Sequence, residues 1–339
     1  LTISKKRDAN LNPSINFNGH VVEEVKSHTY LGLLFTSSLS WNAHISNIEL
    51  KARKKLNMLT PLKYKLDRKT LEVLFASFVS SAMYYGIEGW GGSFDSHLMK
   101  LEQIIVDGMR LVTGATKRSN IAKLYYDTGW QSLNERRDQA MVIMLFKVKK
   151  GMTPNYLCEL LPPAKVTVHD LRKKRDITEP IFKTELFRRS FLFTALRLWN
   201  SLDNTTRELG SVVAIKAKIK TSKREANILY FYGKRWPAVH HARLRIGCSK
   251  LNCDVSFHLH IPNVNPECSC GNGYEDAKHF FMKCAHYSDI REILELKIER
   301  HCTFTLEVLL YGAANLPIRT NYLLFDAVHE YIMESHRFD

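Results

Sequence analysis

The sequence predicts a mainly α-helical fold with a small β-hairpin region at the N-terminus, and three observations carry that prediction. Apolar residues recur at three- and four-residue spacing in most windows beyond residue 41, and helix-start and helix-stop residues punctuate those windows. Strand chemistry is confined to the stretch from Asn16 to Thr36. There Ile15-Asn16-Phe17 and Val21-Val22 flank Asn18-Gly19, a dipeptide whose tolerance of positive φ suits a two-residue hairpin turn. Thr29-Tyr30-Leu31-Gly32-Leu33-Leu34-Phe35 is rich in residues that favour a pleated, half-buried surface.

The helices follow in order. Ser40 is an N-cap candidate ahead of Ile45, Ile48, Ala52, Leu56 and Leu59, while Lys51, Arg53, Lys54 and Lys55 occupy the other faces of the same helix. Asp67 caps a run reaching Tyr84, Asp95 opens a helix closed by Gly114, and Ser132 with Glu135 makes a capping box for a helix ending at Gly151. Residues 41–161 should therefore form a helical bundle. Pro162-Pro163 ends it, and Lys165 to Arg189 is basic with little periodicity, so it reads as a linker or exposed arm containing Arg172-Lys173-Lys174-Arg175. Helices resume from Ser190 to Ser201, where Phe191, Ala195, Leu198 and Trp199 share a face, and from Val212 to Tyr230. Pro262 to Cys284 is turn-rich and poor in apolar residues, and helical patterning returns in Arg291 to Leu296 and Tyr322 to Met333. The expected segments are 1–40, 41–161, 162–235 and 236–339.

Charge narrows the partners. A formal net charge of +15 favours polyanions, either nucleic acid or anionic membrane. No window approaches the roughly 18–20 uncharged apolar residues that span a bilayer, and the longest candidate, Leu71 to Met83, is interrupted by Glu72. No membrane partner is expected. The opening residues have no start Met and no apolar signal region, so the chain reads as part of a longer intracellular protein, nuclear and cytoplasmic.

The strongest motif is Cys268-x-Cys270-x8-His279-x4-Cys284. Three thiols and an imidazole at such short spacing can close a tetrahedral site around structural Zn2+, and Gly271 and Gly273 allow the chain to turn between the ligand pairs. A segment this poor in core residues would draw most of its folding free energy from the metal. Cys248, Cys253, His258 and His260 are a second candidate set, but their spacing matches no finger pattern.

Phosphate contacts are expected from Lys216, Lys220 and Lys223 on the helix after Val212, from Arg243 and Arg245, and from Arg172, Lys173, Lys174 and Arg175. Tyr230, Phe231, Tyr232 and Trp236 at the end of that helix suit base stacking or core packing equally. Trp41, Trp90 and Trp199 read as core. For catalysis the residues offer little: no two aspartates are adjacent to hold paired metal ions, and neither a Gly-rich phosphate loop nor a G-x-S-x-G elbow is present.

The order of motifs resembles the C-terminal part of a LINE-type, non-LTR retrotransposon reverse transcriptase of the jockey-like kind. Thr29-Tyr30-Leu31-Gly32-Leu33 followed by Leu39-Ser40-Trp41-Asn42-Ala43-His44-Ile45 resembles the primer-grip hairpin that closes the palm and the first thumb helix. Tyr84-Tyr85-Gly86 with Trp90 is similar to the family's Y-G-x-x-x-W step. Arg189-Ser190-Phe191 through Leu198-Trp199-Asn200-Ser201-Leu202 resembles its R-x-F-x-x-x-A-x-x-L-W-N-x-L segment. Arg243-Leu244-Arg245-x-Gly247, Cys268-Ser269-Cys270-Gly271, Glu275, His279-Phe280-Phe281, Cys284, Tyr287 and Arg291 resemble its terminal zinc knuckle.

The resemblance implies a palm-edge hairpin over 1–40, a thumb-like bundle over 41–161, a basic linker with helices over 162–235, and a zinc-knuckle module with a helical tail over 236–339. It also implies that Tyr30, Leu31 and Gly32 position a primer end while Lys51, Lys54 and Lys55 track phosphates of an RNA template and a DNA primer or target. The catalytic aspartates and their Mg2+ would lie upstream of Leu1, with polymerase and endonuclease domains of the parent as partners, so this part is expected to be inactive alone. An alternative is a degenerate or domesticated zinc-binding interaction protein with no polymerase role.

Overall fold

The computed structural model describes residues 16–22, 25–163, 177–221 and 226–339. Arg172, Lys173, Lys174, Arg175 and Lys223 lie outside the described residues. Mainly α-helical architecture with two small antiparallel hairpins is what the chain adopts. It divides into two compact units, each assembled from three stretches of chain: Leu1–Arg53, Ser81–Glu102 and Ser132–Ser222 in the first; Lys54–Ser80, Gln103–Gln131 and Lys223–Asp339 in the second.

In the first unit, Asn16–Phe17 pairs with His20–Val21 across Asn18 (φ 49°) and Gly19 (φ 82°), the left-handed pair a two-residue turn requires. The expected strand from Thr29 to Phe35 is itself a hairpin. Ser27–Tyr30 pairs with Leu33–Thr36, and the turn falls on Leu31 (φ 46°) and Gly32 (φ 79°). A leucine in the left-handed region is strained, so the surroundings must hold it there. The Tyr85 hydroxyl donates to the Leu31 carbonyl at 2.9 Å, and the Tyr85 ring lies 3.2 Å from where a Cβ on Gly32 would stand. Trp90 anchors the strap from the other side: fully buried, it donates its indole N–H to the Tyr85 carbonyl at 2.9 Å.

The same unit is organised around the helix Leu133–Lys149. Ser132 accepts from the Glu135 N–H and Glu135 returns a bond to the Ser132 N–H, which is the expected capping box. Met141, Val142, Leu145 and Phe146 on that helix bury against Ala195, Leu196 and Trp199 of Phe191–Ser201 and Ile215 of Val212–Thr221. Lys149 sits 4.8 Å over the Trp199 ring, covering it with a cation.

In the second unit the helices Arg235–Ile246 and Ile318–Glu334 pack together over a core that includes Leu244, Phe280, Leu309, Val328 and Ile332. A buried charge cluster lies beside it. Asp127 accepts from Arg68 Nη1 at 2.6 Å and from Arg245 Nε at 3.0 Å, and its backbone carbonyl accepts Arg68 Nη2 at 2.8 Å. Burial alone would raise the Asp127 carboxyl, but the Arg245 and Arg68 guanidiniums overcome it and hold the group below its ordinary value.

Two elements depart from the sequence reading. The run after Asp67 is helical to Met83, as expected, but it is α over Arg68–Leu74, widens into a π turn over Phe75–Ser80 and returns to α over Ser81–Met83. There the Ser77 hydroxyl competes for the Val73 and Leu74 carbonyls, at 2.8 and 3.3 Å. The helix expected from Val212 to Tyr230 is described only over Val212–Thr221; Asn227 then caps a separate 3-10 turn, Ile228–Phe231, by accepting from the Leu229 N–H at 3.0 Å. That local bond gives the backbone an alternative to a continuous helix.

Beneath Arg235–Ile246, His241 Nε2 lies 2.9 Å from the Leu309 carbonyl, so Nε2 carries a proton and Nδ1 is left to accept, at 3.2 Å, from His329 Nε2. Burial, with Arg245 nearby, lowers both imidazoles, His329 to about 4 from 6.5. Such depressed groups stabilise the fold fully above pH 6.5 and lose that contribution as the pH falls towards 4, because only the unfolded chain takes up the proton. For His329 the loss is about 3 kcal/mol. The urea midpoint of the second unit should fall across that window, and fall less steeply in His329→Gln; equal slopes would show that the pair does not stay neutral.

Candidate metal centre and nucleic-acid interface

The Cys- and His-containing segment folds as a short loop followed by a short helix, both in the second unit. An antiparallel bridge joins Glu267 to Tyr274, and the Cys268 N–H donates to the Gly273 carbonyl at 2.8 Å. Between them the Gly271 N–H closes back on the Cys268 carbonyl at 3.0 Å, with Gly271 at φ 77° and Gly273 at φ 110°. The turn thus brings Cys268 and Cys270 onto one side at glycine-only backbone angles. Asp276 then caps the helix Ala277–Met282 by accepting from the His279 N–H at 2.6 Å, which fixes the start of the turn that carries the imidazole. Past the helix end, the Cys284 N–H donates to the His279 carbonyl at 2.8 Å and folds the last ligand back over the loop.

The result is a set of four donor atoms, from Cys268, Cys270, His279 and Cys284, all within 4.8 Å of one another. Cys268 Sγ and Cys284 Sγ are 3.7 Å apart, and Cys270 Sγ is 3.2 Å from His279 Nε2. Cys268, His279 and Cys284 are buried and Cys270 is partly open. Three thiols and an imidazole in this arrangement could hold a metal ion. Burial pushes the Cys284 thiol up to about 12, whereas the Asn272 backbone N–H draws the Cys270 thiol down. A coordinated cation removes that difference by deprotonating its thiol ligands outright. Among the described residues no other group of this kind comes together, so Cys248, Cys253, His258 and His260 do not form the second site considered above. His258 Nδ1 instead meets Asp254 at 2.9 Å, and the Cys253 thiol faces the Pro266 carbonyl at 3.6 Å.

A brace around the centre escapes sequence reading. Arg337 Nε and Nη2 donate to the two oxygens of Glu275, both at 2.7 Å, and Glu275 also accepts from the Asn252 N–H at 2.9 Å. Lys250 Nζ reaches the Phe338 and Asp339 carbonyls at 2.8 Å, and Phe338 buries against His240 and Phe280. The loop is therefore tied to residues 62 positions away. The Asp276 cap carries a local signal, an Asp three residues before His279, that the sequence reading passed over; the Arg337 brace leaves none.

The predicted cationic and hairpin residues divide into two groups. Tyr30 and Leu31 stand at the hairpin tip, 62% and 71% exposed, with Gly32 completing the turn. Lys51 and Lys54 are exposed and Lys55 half-buried on the helix Asn42–Leu59, and Lys216 and Lys220 are exposed one turn apart on Val212–Thr221. Arg245 is different. Its side chain is buried, paired with Asp127, and its guanidinium lies 4.0 Å over the Tyr230 ring, so the expectation that it contacts phosphate is corrected to a core ion pair. Arg243 is half-buried and donates through Nε to the Gly114 carbonyl at 2.8 Å. Of the aromatic group, Tyr230 is buried, Tyr232 stacks on Tyr322 and bonds Asp326 at 2.7 Å, and Trp236 stays 40% exposed.

With this geometry in place, comparison with known proteins gives two relatives. One is similar to this chain over 165 residues at 22% identity, covering 48% of the chain: the RNA-directed DNA polymerase from the mobile element jockey of Drosophila melanogaster. The protein of the same name from Drosophila funebris is 24% identical over 106 residues, or 30% of the chain. The chain is related to the reverse transcriptases of LINE-type retrotransposons. The matched stretches span 18% and 12% of the length of those two polymerases. No family model matches, and no solved structure matches. No helix among the described residues is long and apolar enough to cross a membrane.

The brace predicts a measurable effect on stability. Arg337→Met leaves the Glu275 carboxylate, whose side chain is 6% exposed, without its cation and should cost about 2 kcal/mol. Urea denaturation of Arg337→Met beside the parent chain measures it; a difference under about 0.5 kcal/mol would mean the pair is as weak as an exposed one.

Proposed function

We propose that this chain is the nucleic-acid-holding C-terminal part of a LINE-type RNA-directed DNA polymerase, with structural Zn2+ at Cys268, Cys270, His279 and Cys284. The observation that carries the reading is the convergence of those four donors in a chain of net charge +15 whose relatives are named RNA-directed DNA polymerases. Zinc suits the donor set. A tetrahedral ion with Zn–S near 2.3 Å and Zn–N near 2.0 Å needs S···S edges of about 3.8 Å and S···N edges of about 3.5 Å; Cys268–Cys284 at 3.7 Å and Cys270–His279 at 3.2 Å lie near those values, and all four donors lie within 4.8 Å of one another. Four protein ligands leave no open coordination position, so the ion would hold the loop in shape and take no part in chemistry.

In this reading Lys51, Lys54, Lys55, Lys216 and Lys220 neutralise phosphates of RNA template and DNA primer or target. Arg172, Lys173, Lys174, Arg175, Lys223 and Arg243 are further cations for the same task. Tyr30, Leu31 and Gly32 form a rigid tip that positions a strand end, and the Tyr85 strap makes that tip rigid. The phosphodiester chemistry, with its Mg2+, belongs to palm aspartates that this stretch does not include, and polymerase and endonuclease domains of the parent would be its neighbours.

Binding should be strongly salt-dependent, because each neutralised phosphate releases about 0.9 counterion on duplex DNA. Mobility-shift titrations with nicked duplex and structured RNA should lose roughly 1,000-fold in affinity between 50 and 200 mM salt if about six phosphates are engaged. The double substitution Lys51→Gln, Lys54→Gln should reduce the log–log slope by about two. A salt-independent shift, or an unchanged slope in the double variant, would remove these lysines from the interface.

A further inference from the structure

One recess of the second unit is lined by none of the metal donors or lysines assigned above. About 560 Å³ in volume, it is lined by Tyr126, Asn227, Tyr230, Glu307 and Tyr311 with the Gly312–Ala314 turn. A second recess of about 360 Å³ shares Tyr126, Tyr230 and Tyr311 as a common wall and adds Lys123, Asp127 and Arg245. We propose that this tyrosine-walled cleft takes an unstacked base of single-stranded nucleic acid. The inference rests on the nucleic-acid reading above and deepens it by naming a base site where that reading names only phosphate contacts.

Three features carry the assignment. First, the three phenols come from three separate elements: Tyr126 from Ile121–Thr128, Tyr230 from the 3-10 turn Ile228–Phe231, and Tyr311 from the end of Leu306–Tyr311. Tyr126, exposed, and Tyr311, half-buried, offer stacking surface that any base can use, and the buried Tyr230 completes the lining. Among the described residues no hydrogen bond engages the three hydroxyls, so all remain available at the cleft. Second, burial pushes Tyr230 up to about 12 and raises Tyr311, so both stay neutral donors throughout the physiological range.

Third, the floor is rigid and its charge is directional. The Arg245 guanidinium lies 4.0 Å from the centre of the Tyr230 ring and is paired with Asp127, which holds Tyr230 in the wall. Exposed Lys123 lines the smaller recess, and the exposed carboxylate Glu307 lines the larger one. A phosphate is attracted to the first and repelled by the second, which orients a nucleotide with its backbone toward Lys123. Its base then points along the tyrosines toward a carboxylate that accepts an exocyclic amino group. Gly312 shapes that end: at φ 80°, a Cβ there would stand 2.6 Å from Leu229 and 2.7 Å from Asn321.

The test uses the full chain and a 12-nucleotide single strand carrying one 5-iodouracil, with crosslinked peptides mapped after irradiation. Crosslinks are expected at Tyr126 or Tyr311. Tyr126→Ala, at a position 59% exposed and so tolerant of truncation, should weaken single-strand affinity at least about fivefold without changing the salt slope. Ala314→Trp, which fills the cleft from an exposed position, should do the same by obstruction. If the parent chain binds the strand but crosslinks map elsewhere and both variants bind within twofold of it, the base site is overturned while the phosphate reading stands. If the parent chain binds no nucleic acid at all, both fall.

Discussion

Three thiols and an imidazole held within 4.8 Å of one another repel as soon as the thiols ionise, and the loop that carries them is too short to offset that repulsion with a core of its own. The surrounding chain is built to hold the four donors together: a glycine turn for two of them, an aspartate cap for the third, and a backbone bond that folds the fourth back. Phe280 and Phe281, between the last two ligands, sit fully buried in the core of the second unit. The centre and that core are therefore continuous, and whatever holds the ligands also fixes the helices packed around them.

The second unit uses charge internally in a way that its net basicity disguises. Arg68, Arg245 and Arg337 are arginines by count, but their guanidiniums are committed to Asp127 and Glu275. Removing a partner from such a pair leaves a buried ion without compensation, which explains why these cations belong to the fold and not to the binding surface. Lys51, Lys54, Lys216 and Lys220, by contrast, stand exposed on helical faces, where long flexible stems can reach a polyanion without a fixed geometry.

Much of this was legible in the sequence because the signals are local. Asn18-Gly19, the Ser132–Glu135 box and the Gly114 stop are short-range instructions, and each element formed where its instruction lies. The grouping of the four donors was readable for the same reason, since they fall within seventeen consecutive positions. What could not be read joins distant positions. Arg245 meets Asp127 across 118 residues, and nothing in Arg243-Leu244-Arg245 distinguishes the buried arginine from the half-buried one. The hairpin at Leu31-Gly32 was expected from the resemblance and not from residue propensity, because Leu31 is a poor left-handed residue, held there by Tyr85 from 54 positions away. The helix predicted through Tyr230 stopped early because Asn227, which carries no apolar signal, set up a competing cap.

X-ray absorption at the zinc edge of the purified full chain shows whether the four donors hold zinc. One zinc per chain is expected, with three sulfur neighbours near 2.3 Å and one nitrogen near 2.0 Å, and Cys284→Ser should reduce the sulfur count. A chain that folds to the same stability without metal, or a spectrum dominated by oxygen neighbours, would contradict this expectation.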